Sequence, residues 1–150
     1  TQRHAVKGGV VNNAIRHWNL CSWGFEHKGM PTDSRVIMRT NAQKVLDHGV
    51  ELVVETYEMF RKEFNLPADK PDKIVGHQVG EGHHNRFYTA MNIDRKKDFS
   101  TFPFLGNVGS VSLPISAAIA DERGFFVPGD FVVFVGVGSG LNCYFLGVEW

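Results

Sequence analysis

Between Asn41 and Asn65 the chain is apolar along a single stripe. Leu46, Val50, Val53, Tyr57, Phe60 and Phe64 recur at steps of four and three, the spacing that puts side chains on one face of an α-helix. Lys44, Asp47, Glu51, Glu55, Glu58 and Lys62 fill the other faces. Thr40 followed three residues on by Gln43 predicts a capping box at the start, and Pro67 and Pro71 close the segment. A helix with one dry side has to lay that side on a sheet, and the rest of the sequence supplies strands for one. Residues 5 to 15, "AVKGGVVNNAI", read as a strand; from "KIVG" onward the order is strand, helix, strand, helix, strand, strand. The second strand of that series is "FSTFPFL". The expectation is an α/β fold with a five-stranded mixed sheet, covered by helices and ending in an antiparallel hairpin.

A chain of 150 residues with 43% hydrophobic and 21% charged residues suits one compact domain. Sixteen basic residues balance sixteen acidic ones, which gives no electrostatic case for nucleic acid or an anionic membrane surface. No apolar run reaches the roughly 18 residues of a membrane span, and "TQRHAVKGG" lacks the apolar core of a signal peptide; the expected location is the cytoplasm. Cys21 and Cys143 form neither a zinc spacing nor a disulfide framework and read as reduced, packed thiols. Residues 17 to 39, with Trp18, Trp23, Phe25, Gly24, Gly29, Pro31 and Asp33, read as a long loop with aromatic anchors, of the kind that forms lids or binding walls. Because Thr1 stands on the verge of a strand, residues are expected before it.

Two positions 30 residues apart carry the chemistry. His77 leaves the run "DKIVG" and precedes a helix-like stretch from Glu81 to Asn92; Asn107 leaves "FSTFPFL" and precedes "SVSLPISAAIADERG". Both sit where an α/β strand hands over to a helix, the edge at which open α/β sheets bind ligands. A neutral imidazole can donate to an oxygen that gains negative charge, and an asparagine amide can supply a second neutral donor, so the pair reads as an oxyanion site split between two loops. An isolated histidine at a strand end is ordinarily structural, and Gly-Asn is common turn chemistry; Gln78 beside the histidine and "SLPISAA" beside the asparagine tip both readings toward function. Gly136, Gly138 and Gly140 predict a tight turn with free N–H groups but not a phosphate loop, since no Lys-Ser/Thr pair follows. Glu81, His83 and His84 lack HExxH spacing, and adjacent histidines on a helix diverge by about 100°, so no metal is expected there; the stretch reads as a solvated or partly packed helix face.

The ordered set "HQ", "GN" with "SLP", and "GVGSGLN" resembles the C-terminal half of the thiolase-like β-ketoacyl synthase III family, and the likeness extends from "KGGVVNNAIRHWNLC" at residues 7 to 21 through Trp150. The opening "KGGV…W…LC" and closing "GSGLNC…W" resemble the branch that condenses acyl-CoA head to head in long-chain olefin synthesis. The resemblance implies a catalytic role for His77, Asn107 and the Ser139 backbone amide, the last in a second oxyanion hole, with Gly106, Gly138 and Gly140 shaping the substrate site. It implies no cofactor, with a coenzyme A thioester as substrate. It also implies a partner: an N-terminal half or separate chain carrying the nucleophilic cysteine, within a dimer, together with a glutamate base from a partner subunit. Gly82 stands where the carrier-protein branch has an arginine, which favours coenzyme A over carrier protein. The rival readings are a decarboxylative 3-oxoacyl-carrier-protein synthase III and a non-catalytic subunit that completes a thiolase-fold heterodimer.

Overall fold

A computed structural model describes residues 4–27 and 34–150. The apolar stripe forms the helix Ala42–Glu63, α1, and buries Leu52, Val53, Thr56, Tyr57 and Phe60. Its cap is Asn41 rather than Thr40: the Asn41 side chain accepts from Lys44 N at 3.1 Å, while Gln43 is drawn to Asp47 one turn on. The stripe rests on a four-stranded mixed sheet. Its members are β1 (Ala5–Asn13), β4 (Lys73–Gly76), β5 (Phe131–Gly138) and β6 (Asn142–Glu149), in the order β1-β6-β5-β4, with β4 parallel to β5 and the other pairs antiparallel. The closing hairpin β5–β6 is as expected. Asp72 aligns the parallel pair, since its backbone N–H and its carboxylate meet the carbonyl and N–H of Phe131 at 3.0 and 2.7 Å.

The fifth expected strand is absent among the described residues. The run "FSTFPFL" touches the sheet only at its start, where Phe99 N bonds to the Ile74 carbonyl and the preceding Asp98 forms one parallel bridge with Ile74. It then turns into the short helix Phe102–Leu105, α3. Pro103, which has no N–H for a ladder, sits in the first turn of that helix, where the loss is harmless. Residues 17 to 39 also depart from the expected loop. Ile15–Leu20 is a 3₁₀ segment, and Cys21–His27 (β2) pairs with Ser34–Thr40 (β3) as a separate two-stranded sheet. The alternation of Trp23 and Phe25 opposite Met38 and Val36 is strand periodicity. These side chains are not anchors within this chain: Trp18, Trp23 and Phe25 are 67 to 75% exposed. Gly29, Pro31 and Asp33 lie outside the described residues.

Each sheet face has its own core. On one, Leu52, Val53, Tyr57 and Phe60 of α1 meet Ile74, Val133, Val135, Cys143 and Phe145, joined by Phe87 and Tyr88 of the helix Glu81–Ala90, α2, and by Met91 at its C-cap. On the other, Leu113 and Ala120 of the helix Ser112–Glu122, α4, pack with Val75, Val132 and Phe126. No described helix is long and apolar enough to cross a membrane.

Phe60 is fully buried, and its ring lies within 6.4 Å of the Phe64, Phe131 and Phe145 rings. Phe60→Ala empties the centre of the larger core and is expected to lower unfolding free energy by about 3–5 kcal/mol, measurable as a reduced denaturant midpoint with an unchanged m-value.

Candidate active site

β4 ends at Gly76, and the chain there is fixed on every side. His77 N donates to the Val135 carbonyl at 2.8 Å, and the His77 carbonyl accepts from Val79 N at 3.0 Å. Gln78 turns inward and is fully buried. Its Nε2 donates to the Gly76 carbonyl at 2.7 Å, while its Oε1 accepts from Ser100 Oγ at 2.8 Å, Thr101 N at 3.1 Å and Phe102 N at 2.9 Å. One amide therefore ties the His77 loop to the segment that leads into Asn107. Sequence reading took Gln78 only as part of a motif; its bonds make it the joint between the two halves of the site.

The Asn107 loop is held from its other end as well. Gly106 has φ +66 and ψ −155, a conformation open essentially to glycine alone, and it turns the chain out of α3. Asn107 Oδ1 accepts from Gly109 N at 2.9 Å, and Ser112 Oγ at the start of α4 accepts from Val108 N at 3.0 Å. Further along α4, Ser116 Oγ donates to the Ser112 carbonyl and meets Thr101 Oγ1, both at 2.6 Å. The small hydroxyls of "SLPIS" thus bind the helix to the loop before it. The Asn107 oxygen is used by the turn, so a turn role does not occupy its NH₂ group.

His77, Asn107, Gly138 and Ser139 line one cavity of about 570 Å³, whose apolar wall includes Val45, Phe87, Leu113 and Val137. A mainly apolar cavity with a few convergent polar groups is the usual form of a small-molecule site. Gly106 and Gly140 shape the adjoining turns rather than the wall. The turn between β5 and β6 is Ser139-Gly140-Leu141, with Gly140 at φ +78. Asn142 Nδ2 holds it by donating to the Ser139 carbonyl at 2.8 Å, and a Cβ on Gly138 would stand 2.8 Å from Asn142 Oδ1.

The electrostatics suit a neutral donor. Burial, and secondarily the nearby His84 ring, hold His77 below the ordinary imidazole range, so near neutral pH the ring is uncharged. Of the two expected forms of this stretch, solvated or partly packed, the structure shows the partly packed one, with His84 turned inward. With Phe87, Tyr88 and Met91 it forms the buried side of α2, at the i, i+3, i+4, i+7 spacing that was present in the sequence. Its Nε2 lies 3.0 Å from the His77 carbonyl oxygen. His83 lines the cavity, and Glu81 is exposed in the first turn of α2. Cys143 is a buried thiol that burial pushes up to about 12, which leaves it no nucleophilic thiolate near neutral pH. Cys21 is less enclosed than expected: it opens β2, lines the cavity and accepts a bond from Ser139 Oγ at 3.3 Å.

The strand-end histidine, the asparagine that follows Gly106 and the glycine hairpin lie on a mixed α/β fold whose structural neighbours are thiolase-like, and it matches their C-terminal half. The sequence pattern described as 3-oxoacyl-[acyl-carrier-protein (ACP)] synthase III C terminal matches residues 62–150, and the chain belongs to that family. It is 42% identical over 149 residues, 99% of its length, to an acyl-CoA:acyl-CoA alkyltransferase of Shewanella oneidensis, and covers 42% of that protein. It is 29% identical over 84% of its length to a β-ketoacyl-[acyl-carrier-protein] synthase III of Clostridium tetani, covering 35% of it. Among solved structures, a cysteine-to-serine variant of Xanthomonas campestris OleA with bound lauric acid and lauroyl-CoA superposes with a TM-score of 0.84 at 30% identity, over 98% of this chain and 41% of that one. The chain thus spans about two fifths of the relatives it matches.

Gln78→Leu preserves volume but strands the buried N–H of Thr101 and leaves that of Phe102 only its 3.4 Å bond to Ser100 Oγ. It is expected to lower stability by about 1–3 kcal/mol and to free the Asn107 loop, seen as faster amide exchange at residues 100–109 than at β5 and β6.

Proposed function

We propose that this chain carries the enolate-stabilising half of an acyl-CoA condensing enzyme, and that a half bearing a nucleophilic cysteine completes it. The observation that carries the reading is one cavity lined by both His77, whose ring burial keeps neutral, and Asn107, whose oxygen alone is used by its turn. The cysteine of the other half takes an acyl group as a thioester and releases coenzyme A. A second acyl-CoA then places its thioester oxygen between His77 and Asn107. As a base contributed by the rest of the assembly removes the α-proton, negative charge gathers on that oxygen, where two neutral donors stabilise it without becoming competing acids. The α-carbon attacks the acyl-cysteine carbonyl, the Ser139 N–H stabilises the resulting oxyanion, and the cysteine thiolate departs to leave a β-ketoacyl product. Among the described residues no acceptor engages the Ser139 N–H, which leaves it available to this oxyanion.

Support for coenzyme A as carrier comes from the two-donor relative in Shewanella and from Gly82, an exposed position on α2 where the carrier-protein branch has an arginine. A completing half also answers to the surface: Val11 and Tyr144 oppose each other across the β1–β6 pair, Val111 stands just before α4 and Ile115 on it, all exposed. We place the assembly in the cytoplasm, a reducing setting that fits the free thiols of Cys21 and Cys143.

In the completed enzyme, His77→Ala and Asn107→Ala are each expected to slow condensation by about 10²- to 10³-fold while the partner cysteine still loads its acyl group at a near-normal rate. Trapping the acyl-enzyme separates the two steps, and equal loss in both contradicts the assigned roles.

With a single long-chain acyl-CoA and no malonyl donor, the completed enzyme is expected to release coenzyme A and form a β-keto product of twice the chain length, or the ketone left by its decarboxylation. Mass spectrometry of the products checks this. If product forms only after malonyl-carrier protein is supplied, the decarboxylative branch is the correct one.

A further inference from the structure

The His84 and Asp98 side chains are 3% and 2% exposed, and neither touches the cavity directly. Such a pair is an expensive way to fill space, since apolar residues of similar volume ordinarily pack there at no desolvation cost. Its bonds show what it holds. A carbonyl oxygen only accepts, so the 3.0 Å contact makes His84 Nε2 the donor to the His77 carbonyl. Nδ1 then faces Asp98 Oδ2 at 3.6 Å, beyond hydrogen-bond length, so this contact is electrostatic and Nδ1 has no hydrogen-bond partner among the described residues. Asp98 is fixed in turn: Tyr88 OH donates to its Oδ1 at 2.5 Å, and Arg95 Nη2 stands 3.3 Å from its Oδ2. Burial, and then the Asp98 charge, push the Tyr88 phenol well above its usual range, so it remains a donor. The backbone of the Asp98 segment is itself bridged to β4 at Ile74. The chain of contacts runs from Arg95 and Tyr88 through Asp98 and His84 to the peptide of His77.

We propose that His84, oriented by Asp98, is a positioning residue for the condensation step, fixing the His77 peptide so that the imidazole N–H meets the developing enolate oxygen. This rests on the role proposed above for His77. A donor misplaced by a fraction of an ångström no longer meets the charge that develops, whereas loading of the cysteine on the other half does not use His77; the loss therefore falls on one half-reaction.

The test uses the completed enzyme with a long-chain acyl-CoA. His84→Leu removes the donor and is expected to lower the kcat of condensation about 10- to 100-fold, with KM and the rate of cysteine acylation each within about twofold of wild type. His84→Gln, whose amide can again donate to the His77 carbonyl, is expected to recover most of the lost kcat. Equal activity of H84L and wild type, equal loss in loading and condensation, or failure of H84Q to exceed H84L overturns the proposal. Should H84L not fold, Asp98→Asn carries the test: the same selective loss of kcat supports the positioning role, and an unchanged kcat overturns it. H77A run in parallel separates the two ideas, since an H77A enzyme that condenses normally removes the underlying role of His77, whereas a damaged H77A beside an intact H84L removes only that of His84.

Discussion

The site depends on one buried side-chain amide. Gln78 has a carbonyl that satisfies two backbone N–H groups and one hydroxyl across a gap of more than 20 residues, and an NH₂ group that returns to the strand it came from. Remove it and the buried Thr101 N–H loses its acceptor, while Phe102 N–H keeps only a long bond of 3.4 Å to Ser100 Oγ. The strand that would otherwise have tied this segment into the sheet never forms. Side-chain hydrogen bonding from Gln78, Ser112 and Ser116 replaces the ladder, and it does so beside His77 and Asn107.

The larger core explains why the histidine loop holds still. α1 and α2 cover the same sheet face, and the interior of α2 is half apolar and half polar: Phe87 and Met91 join the hydrophobic cluster, while His84 and Tyr88 face the carboxylate of Asp98. The polar part lies directly behind β4's end. In that arrangement a change at Asp98, far along the chain from His77, is felt at the His77 peptide through two side chains.

Much of this was legible in the residues. Strong periodicity found α1, and the apolar runs found β4, β5 and β6 with the hairpin between the last two. His77, Asn107 and Ser139 were named from their order and meet in one cavity. What failed did so for identifiable reasons. "FSTFPFL" has strand composition, but Pro103 and Gly106 redirect its backbone, and a composition count is blind to where a proline falls in a turn. β2 and β3 were hidden by the glycines and proline between and around them, which suggested a loop, although Trp23, Phe25, Val36 and Met38 alternate as strand residues do. The burial of His84 could have been read from its spacing to Phe87, Tyr88 and Met91; its adjacency to His83 and Glu81 drew attention to charge instead. The link from Gln78 to Thr101 had no sequence signal, because nothing in a lone glutamine says which distant backbone it will satisfy.

The cavity wall is made of two materials. His77 and Asn107 belong to a unit stiffened by Gln78, whereas Met38 and Thr40 come from β3, a strand of the small separate sheet. Exchanging a residue on β3 reshapes the cavity without touching any bond that holds the loops of His77 and Asn107. On the function proposed above, the small sheet would set the room for a substrate while the sheet edge at β4 holds the two polar groups.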